Sequence, residues 1–145
     1  MNKLFLITNE SVFNYDGKFY CDNIDLKSTP EGLSKKFEIC LIARKSKKIR
    51  SHTINIKNIN IYKNFIYFLI GILKTFKDNN SKYLVVSITP FTFFSCLLIK
   101  LFKKKIIVYL RSDGYEEYKS IIGLFGPAIY HFMFKIVTSR SKVIT

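Results

Sequence analysis

The sequence predicts an α/β domain, a Rossmann-like parallel sheet with helices on both faces, and three observations carry that reading. Short aliphatic runs, Lys3 to Thr8, Glu38 to Arg44, Tyr83 to Thr89 and Ile106 to Leu110, read as strands buried on both faces. Apolar helical stretches of roughly 12 to 20 residues separate them, as right-handed βαβ crossovers require. The run Ile106 to Leu110 then stops on charge, with Arg111, Asp113, Glu116 and Glu117 following closely in a chain that holds only 10 Asp and Glu. Ligands of open α/β sheets collect outside the carboxyl ends of the strands, so this crowding marks the first place to look for a site.

Composition sets the bounds. A length of 145 residues suits one domain with one substantial core, and 48% hydrophobic with 16% aromatic residues excludes disorder as the main state. The net charge of +14 suggests an anionic partner: nucleic acid, acidic lipid or a phosphorylated substrate. Cys21, Cys40 and Cys96 are odd in number and share no CxxC or Cys/His spacing, which argues against a disulfide framework or zinc and for a reducing compartment. The apolar run after Met1-Asn2-Lys3 ends at Thr8, too soon for a signal peptide. Phe65 to Leu73 and Ile88 to Phe102 are the most apolar stretches, and both fall short of the roughly 18 to 20 residues a spanning helix needs.

Taken in order, Lys3 to Thr8 is the first strand, and Asn9 to Tyr20 a loop or ragged hairpin turning at Asp16-Gly17. Asp22 to Ser28 reads as irregular. Thr29 caps a short helix with Pro30 at its first position, ending near Phe37. Glu38 to Arg44 is the second strand, Lys45 to Arg50 a solvated basic turn, and His52 to Ile56 a half-exposed strand by its alternation. Asn60 to Phe76 is a helix pressed on the sheet, and Tyr83 to Thr89 a strand that runs through Pro90 into the helix Phe91 to Lys103. Ile106 to Leu110 is read as the central strand. A helix over about Tyr118 to Thr138 carries a break at Gly123 or Gly126-Pro127, and Lys142 to Thr145 begins one more strand.

Several chemistries lack their residues. The loop after the first strand, Thr8-Asn9-Glu10-Ser11-Val12-Phe13, has no G-x-G-x-x-G with which to approach a pyrophosphate, and no P-loop or G-x-S-x-G elbow occurs. His52 and His131 read as packing or surface residues, and no clustered donors suggest a metal. Neither a bound cofactor nor a metal is expected.

The run Val108-Tyr109-Leu110-Arg111-Ser112-Asp113-Gly114-Tyr115-Glu116-Glu117-Tyr118, the aromatic helix with Ile129-Tyr130-His131, and Thr138 to Thr145 together resemble the amino-terminal half of retaining, sugar-nucleotide-using GT-B glycosyltransferases. Asp16-Gly17-Lys18-Phe19-Tyr20 and Leu41-Ile42-Ala43-Arg44 are similar to segments of bacterial members. The likeness spans essentially the whole chain through diffuse motifs. The glycine-poor loop after the first strand departs from many members, which use glycine there to approach donor phosphates.

The resemblance implies that residues 1–145 form a single acceptor-side domain of a hexosyltransferase-like enzyme of cell-envelope polysaccharide synthesis. It implies a nucleotide-sugar co-substrate and a glycan or lipid-linked acceptor. The carboxyl-terminal donor-binding domain, with its acidic pair, is absent from these residues, so a missing domain or separate subunit is expected as partner and the chain is expected to be inactive alone. No catalytic residue is assigned. By strand-end geometry, Asn9, Glu10, Thr89, Arg111, Asp113, Glu116 and Glu117 are the acceptor or substrate-binding candidates. The expected location is cytoplasmic, peripheral at the inner face of the cell membrane, where lysines and shallow apolar insertion meet anionic lipid. Two alternatives stay open: a non-catalytic basic membrane-associated module, and a nucleic-acid-binding module. The second is less favoured because the basic residues sit at turns and helix ends rather than in one aromatic-interleaved stripe.

Overall fold

A computed structural model describes residues 2–145. The protein is an α/β domain whose elements, in order, are β1 (Lys3–Tyr15), β2 (Lys18–Cys21), α1 (Ile24–Leu33), β3 (Glu38–Lys45), β4 (His52–Ile54), β5 (Asn58–Tyr62), α2 (Phe65–Thr75), β6 (Lys82–Val86), α3 (Pro90–Leu101), β7 (Lys105–Tyr109), α4 (Gly114–Ile122), a short 3-10 turn (Gly123–Phe125), α5 (Gly126–Thr138) and β8 (Lys142–Ile144). Parallel pairing runs β5-β3-β1-β6-β7-β8. Numbered among themselves these strands read 3-2-1-4-5-6, the order of a doubly wound dinucleotide-type sheet, and the order reverses between β1 and β6.

The sheet is mixed rather than purely parallel, because β1 outruns its expected end at Thr8. A register shift between Ile7 and Ser11 lets the strand continue to Tyr15, where it pairs with β2 antiparallel, and β2 in turn pairs with β4. The turn between them is tight. Asp16 (φ 49°) and Gly17 (φ 73°) both lie in the left-handed region that a type I′ hairpin demands.

Alternation along the strands divides the core in two. Phe5, Ile7, Ile42, Val85 and Val108 face Phe68 and Ile72 of α2, Cys96 and Ile99 of α3, and Tyr130 and Val137 of α5. Leu4, Leu6, Leu41, Leu84 and Val86 share the other cluster with Cys21 of β2, Leu26 of α1 and Ile54 of β4. Leu6 and Ile7, neighbours on β1, are 1% and 0% exposed, so each of the two faces gains about 1.5 to 3 kcal/mol from one fully covered aliphatic side chain.

Four expectations are corrected. Thr29 does not cap the first helix: the Asn23 side chain accepts from the Asp25 N–H, α1 spans Ile24–Leu33, and Pro30 lies inside it, buried with Leu26 one turn earlier. Pro30 has no N–H to donate, so this helix lacks one of its internal hydrogen bonds. The stretch Asn60 to Phe76 is not one helix, since Asn58-Ile59-Asn60-Ile61-Tyr62 alternates with period two and forms edge strand β5 before Asn64 caps α2. The strand after Lys104 is not central: β7 is one place from the β8 edge, and β1 and β6 occupy the middle. The acidic stretch after it is not a turn, because Asp113 accepts from the Tyr115 N–H at 2.9 Å and places Glu116 and Glu117 in the first turn of α4.

The expected break near Gly123 is present, and it governs the last third of the fold. Gly114–Thr138 is long and apolar enough to cross a membrane, with 25 residues at hydropathy 1.5. Yet the chain folds back on itself there. Gly123 sits at φ 81°, and a Cβ on Gly126 would lie 2.0 Å from the Tyr118 carbonyl oxygen, so only glycine permits the backbones of α4 and α5 to touch. Tyr115 and Tyr118 pack on Tyr130 at ring distances of 4.8 and 5.3 Å, closing an antiparallel helical hairpin. Its longer arm, 13 residues, extends about 20 Å at 1.5 Å per residue, short of the roughly 30 Å of a bilayer core.

Candidate functional site

The register shift of β1 and the carboxyl ends of β6 and β7 open onto a cleft of about 390 Å³ at the point where strand order reverses. Thr8, Asn9 and Glu10 line it from β1, Ser87 and Thr89 from the β6–α3 link, Arg111 and Ser112 from the end of β7, Glu117 from α4, and Asn23 and Asp25 from the start of α1. The helices α1, α3 and α4 all begin at this edge, each behind a side-chain cap (Asn23, Thr89 and Asp113).

An ion pair spans the floor. The Arg111 guanidinium bonds through Nη2 to Glu10 Oε1, with side chains 16% and 25% exposed, and Asn23 Nδ2 donates to the same Glu10 oxygen at 2.9 Å. Two donors on one carboxylate oxygen hold the irregular middle of β1, the end of β7 and the start of α1 together. Arg111 Nε is buried and has no hydrogen-bond partner among the described residues, so one N–H beside the cleft is unused. Asn9 is held from outside the cleft: Arg44 Nη1 donates to its Oδ1 at 3.5 Å while the same guanidinium lies 4.8 Å over the Phe91 ring.

The β6–α3 link is strained and strapped down. Ser87 has φ 62°, a left-handed conformation costing a non-glycine residue about 1 kcal/mol or more. Its N–H donates to the Tyr109 carbonyl at 2.8 Å, and its carbonyl accepts from Thr92 Oγ1 at 2.9 Å. Thr89 and Thr92 form a reciprocal capping box at the start of α3. Two hydrogen bonds of its own backbone hold this strained Ser87 against the cleft wall.

Of the residues singled out from sequence, the cleft gathers Asn9, Glu10, Thr89, Arg111 and Glu117. Asp113 instead caps α4 and borders an adjoining depression with Arg111, Tyr115 and Thr145. Glu116 is exposed and lines neither cavity. Sequence reasoning missed the polar residues Thr8, Asn23, Asp25, Ser87 and Ser112. Asn23-Ile24-Asp25 is an Asx cap signal that was legible, whereas nothing in Val85-Val86-Ser87-Ile88 announces a left-handed serine.

Electrostatics narrows what the cleft can hold. Its lining presents three carboxylates (Glu10, Asp25 and Glu117) to one guanidinium (Arg111), in a chain whose net charge is +14. A site for a free polyanion would show the opposite balance. Carboxylates, threonines and serines converging on one exposed pocket suit a ligand rich in hydroxyl donors.

No family model, curated protein or solved structure matches this chain. A larger cavity, about 800 Å³, lies elsewhere, between the end of α1, the start of β3 and the β4–β5 link, and is lined by Phe19, Tyr20, Phe37, Glu38, Asn55 and Lys57 among others. It lies at the amino-terminal end of β3 and gathers one carboxylate, Glu38. Among the described residues no group of three or more His, Cys, Asp or Glu is placed to hold a metal ion.

Proposed function

We propose that this chain is the acceptor-side half of a GT-B glycosyltransferase, and that the switch-point cleft holds the hydroxyl-bearing acceptor, a glycan or a lipid-linked sugar. The observation that carries the reading is the lining itself: three carboxylates and a cluster of hydroxyls around one anchored arginine. In sugar transfer the acceptor oxygen forms a bond to the sugar C1, the nucleoside diphosphate leaves with the bonding pair, and its departing oxygen takes up the acceptor's hydroxyl proton. Asp25 and Glu117 accept hydrogen bonds from acceptor hydroxyls and orient the one that attacks. Arg111, paired with Glu10, sets the position of that carboxylate at the cleft floor. The nucleotide-sugar, which needs cationic and glycine-rich contacts that this rim lacks, is held by a counterpart lobe closing over the cleft.

Saturation-transfer NMR against a panel of mono- and disaccharides tests this reading. The expected result is transfer to at least one hexose or hexosamine ligand, lost in Glu117→Ala and Arg111→Ala. A panel that gives no transfer, or transfer that survives both substitutions, overturns it.

A further inference from the structure

We infer that the outer surface of the α2–α3–α5 layer, led by the tip of the α4–α5 hairpin, seats on an anionic lipid bilayer. The tip is a wedge of large apolar side chains with nothing over them: Ile121, Leu124 and Phe125 are 76%, 90% and 77% exposed. Behind it exposed apolar side chains recur along α5 at Ile129 and Phe132. Phe132 of α5 is exposed and packs beside Phe93 at 6.3 Å, and exposed Phe94 of α3 meets Phe65 of α2 at 5.4 Å, next to exposed Ile66 and Tyr67. Scattered exposed apolar residues need no explanation, but one connected surface across three helices does.

Charge identifies the occupant. The segments FIYFLIGILKT, PFTFFSCLLIKL and GPAIYHFMFKIVT contain no aspartate or glutamate. Their rim is basic, with Lys63, Lys74, Lys103 and Lys119 all exposed. An apolar face rimmed by lysine is the composition of a monotopic membrane surface, where the rings and aliphatic chains enter the acyl boundary and the lysines reach back to anionic headgroups. A second copy of this chain fits poorly, because a two-fold contact sets each patch against itself and an acid-free patch would oppose lysine with lysine. The fold also fixes how deep the contact goes. The hairpin reverses at Gly123, so the tip enters one leaflet and does not cross. The inference stands independently of the sugar reading, since no residue of the cleft takes part in it.

The chain has no tryptophan, which makes the test clean. Phe125→Trp places a reporter at the tip, and Tyr15→Trp places one on the β1–β2 hairpin as a control. With vesicles of phosphatidylcholine containing about 30% phosphatidylglycerol, Phe125→Trp is expected to shift its emission to the blue while Tyr15→Trp does not. Co-sedimentation of the double variant Leu124→Glu, Phe125→Glu with the same vesicles is expected to fall about tenfold or more, with an unchanged far-UV circular dichroism spectrum, and wild-type binding to weaken in high salt. No co-sedimentation of the wild-type chain, equal blue shifts at both reporters, or undiminished binding by the double variant overturns the inference. So does a concentration-dependent dimer that the double variant abolishes while vesicle binding persists.

Discussion

The cleft over the strand ends and the outer surface of the helical layer differ in nearly every respect, although α4 belongs to both. The cleft draws Glu10, Asp25 and Glu117 around Arg111, and its wall is fixed by hydrogen bonds of Ser87, Thr92 and Asn23. The layer carries no acid on α2, α3 or α5 and leaves Leu124 and Phe125 uncovered. Net charge therefore says little about the site. A mean of +14 conceals an acid-lined pocket on one rim and an acid-free apolar sheet of helices beside it, two surfaces suited to different partners.

The largest effect is expected under the helical layer. A Cβ on Gly126 meets the Tyr118 carbonyl at 2.0 Å, so Gly126→Ala must part α4 from α5 and is expected to cost about 3 kcal/mol in urea unfolding. A result near zero would mean that the hairpin is not closed as described. Next comes the cleft floor. Arg111→Ala leaves the part-buried Glu10 carboxylate with the Asn23 amide alone and is expected to cost about 1 to 2 kcal/mol, while Glu117→Ala, at an exposed position, costs less than about 0.5. Equal costs would remove the ion pair from the account.

Alkaline pH tests the burial of both core clusters at once. Burial, helped by Tyr115 and the carboxylates of Glu117 and Asp113, pushes the Tyr130 phenol up to about 12. Burial likewise pushes the Cys96 thiol up to about 12, and burial with Glu10 pushes Cys21 to about 11. These groups keep their protons in the folded chain after the unfolded chain, with thiols near 9.0 and phenols near 10.0, has lost them. The folded state then binds more protons, so stability is fully present below about pH 9 and falls as pH rises toward 12. Urea midpoints measured across that window are expected to decline, and Tyr130→Phe is expected to make the decline shallower. A flat profile contradicts the burial of these groups. A smaller loss, about 1 kcal/mol, is expected for Thr89→Ala through its capping box, and Leu124→Ser, at a position 90% exposed, stays within about 0.5 kcal/mol.

What the sequence disclosed follows physical lines. Buried strands were legible because β1, β3, β6 and β7 lie between two apolar layers and read as uninterrupted aliphatic runs. Edge strand β5 was not, because its alternating Asn-Ile pattern leads within three residues into the apolar α2 and was absorbed by the helix period. Asp113-Gly114-Tyr115-Glu116-Glu117 has the charge and glycine of a turn, but aspartate followed by glutamates at the third and fourth positions is also how a helix begins. The meeting of Glu10 with Arg111, 101 positions apart, follows from strand order alone: both leave the carboxyl edge on strands separated only by β6. Asn23 joined them because α1 starts earlier than Thr29 suggested, and Ser87 because its backbone, not its residue type, places it there.

Backbone amide mapping during a saccharide titration tests the central claim most directly, because it reports where a ligand sits as well as whether it binds. The account predicts shifts concentrated at Thr8, Glu10, Asn23, Ser87 and Ser112, around the reversal of strand order. Shifts concentrated instead at Phe19, Tyr20, Asn55 and Asn58, around the larger cavity, would contradict it.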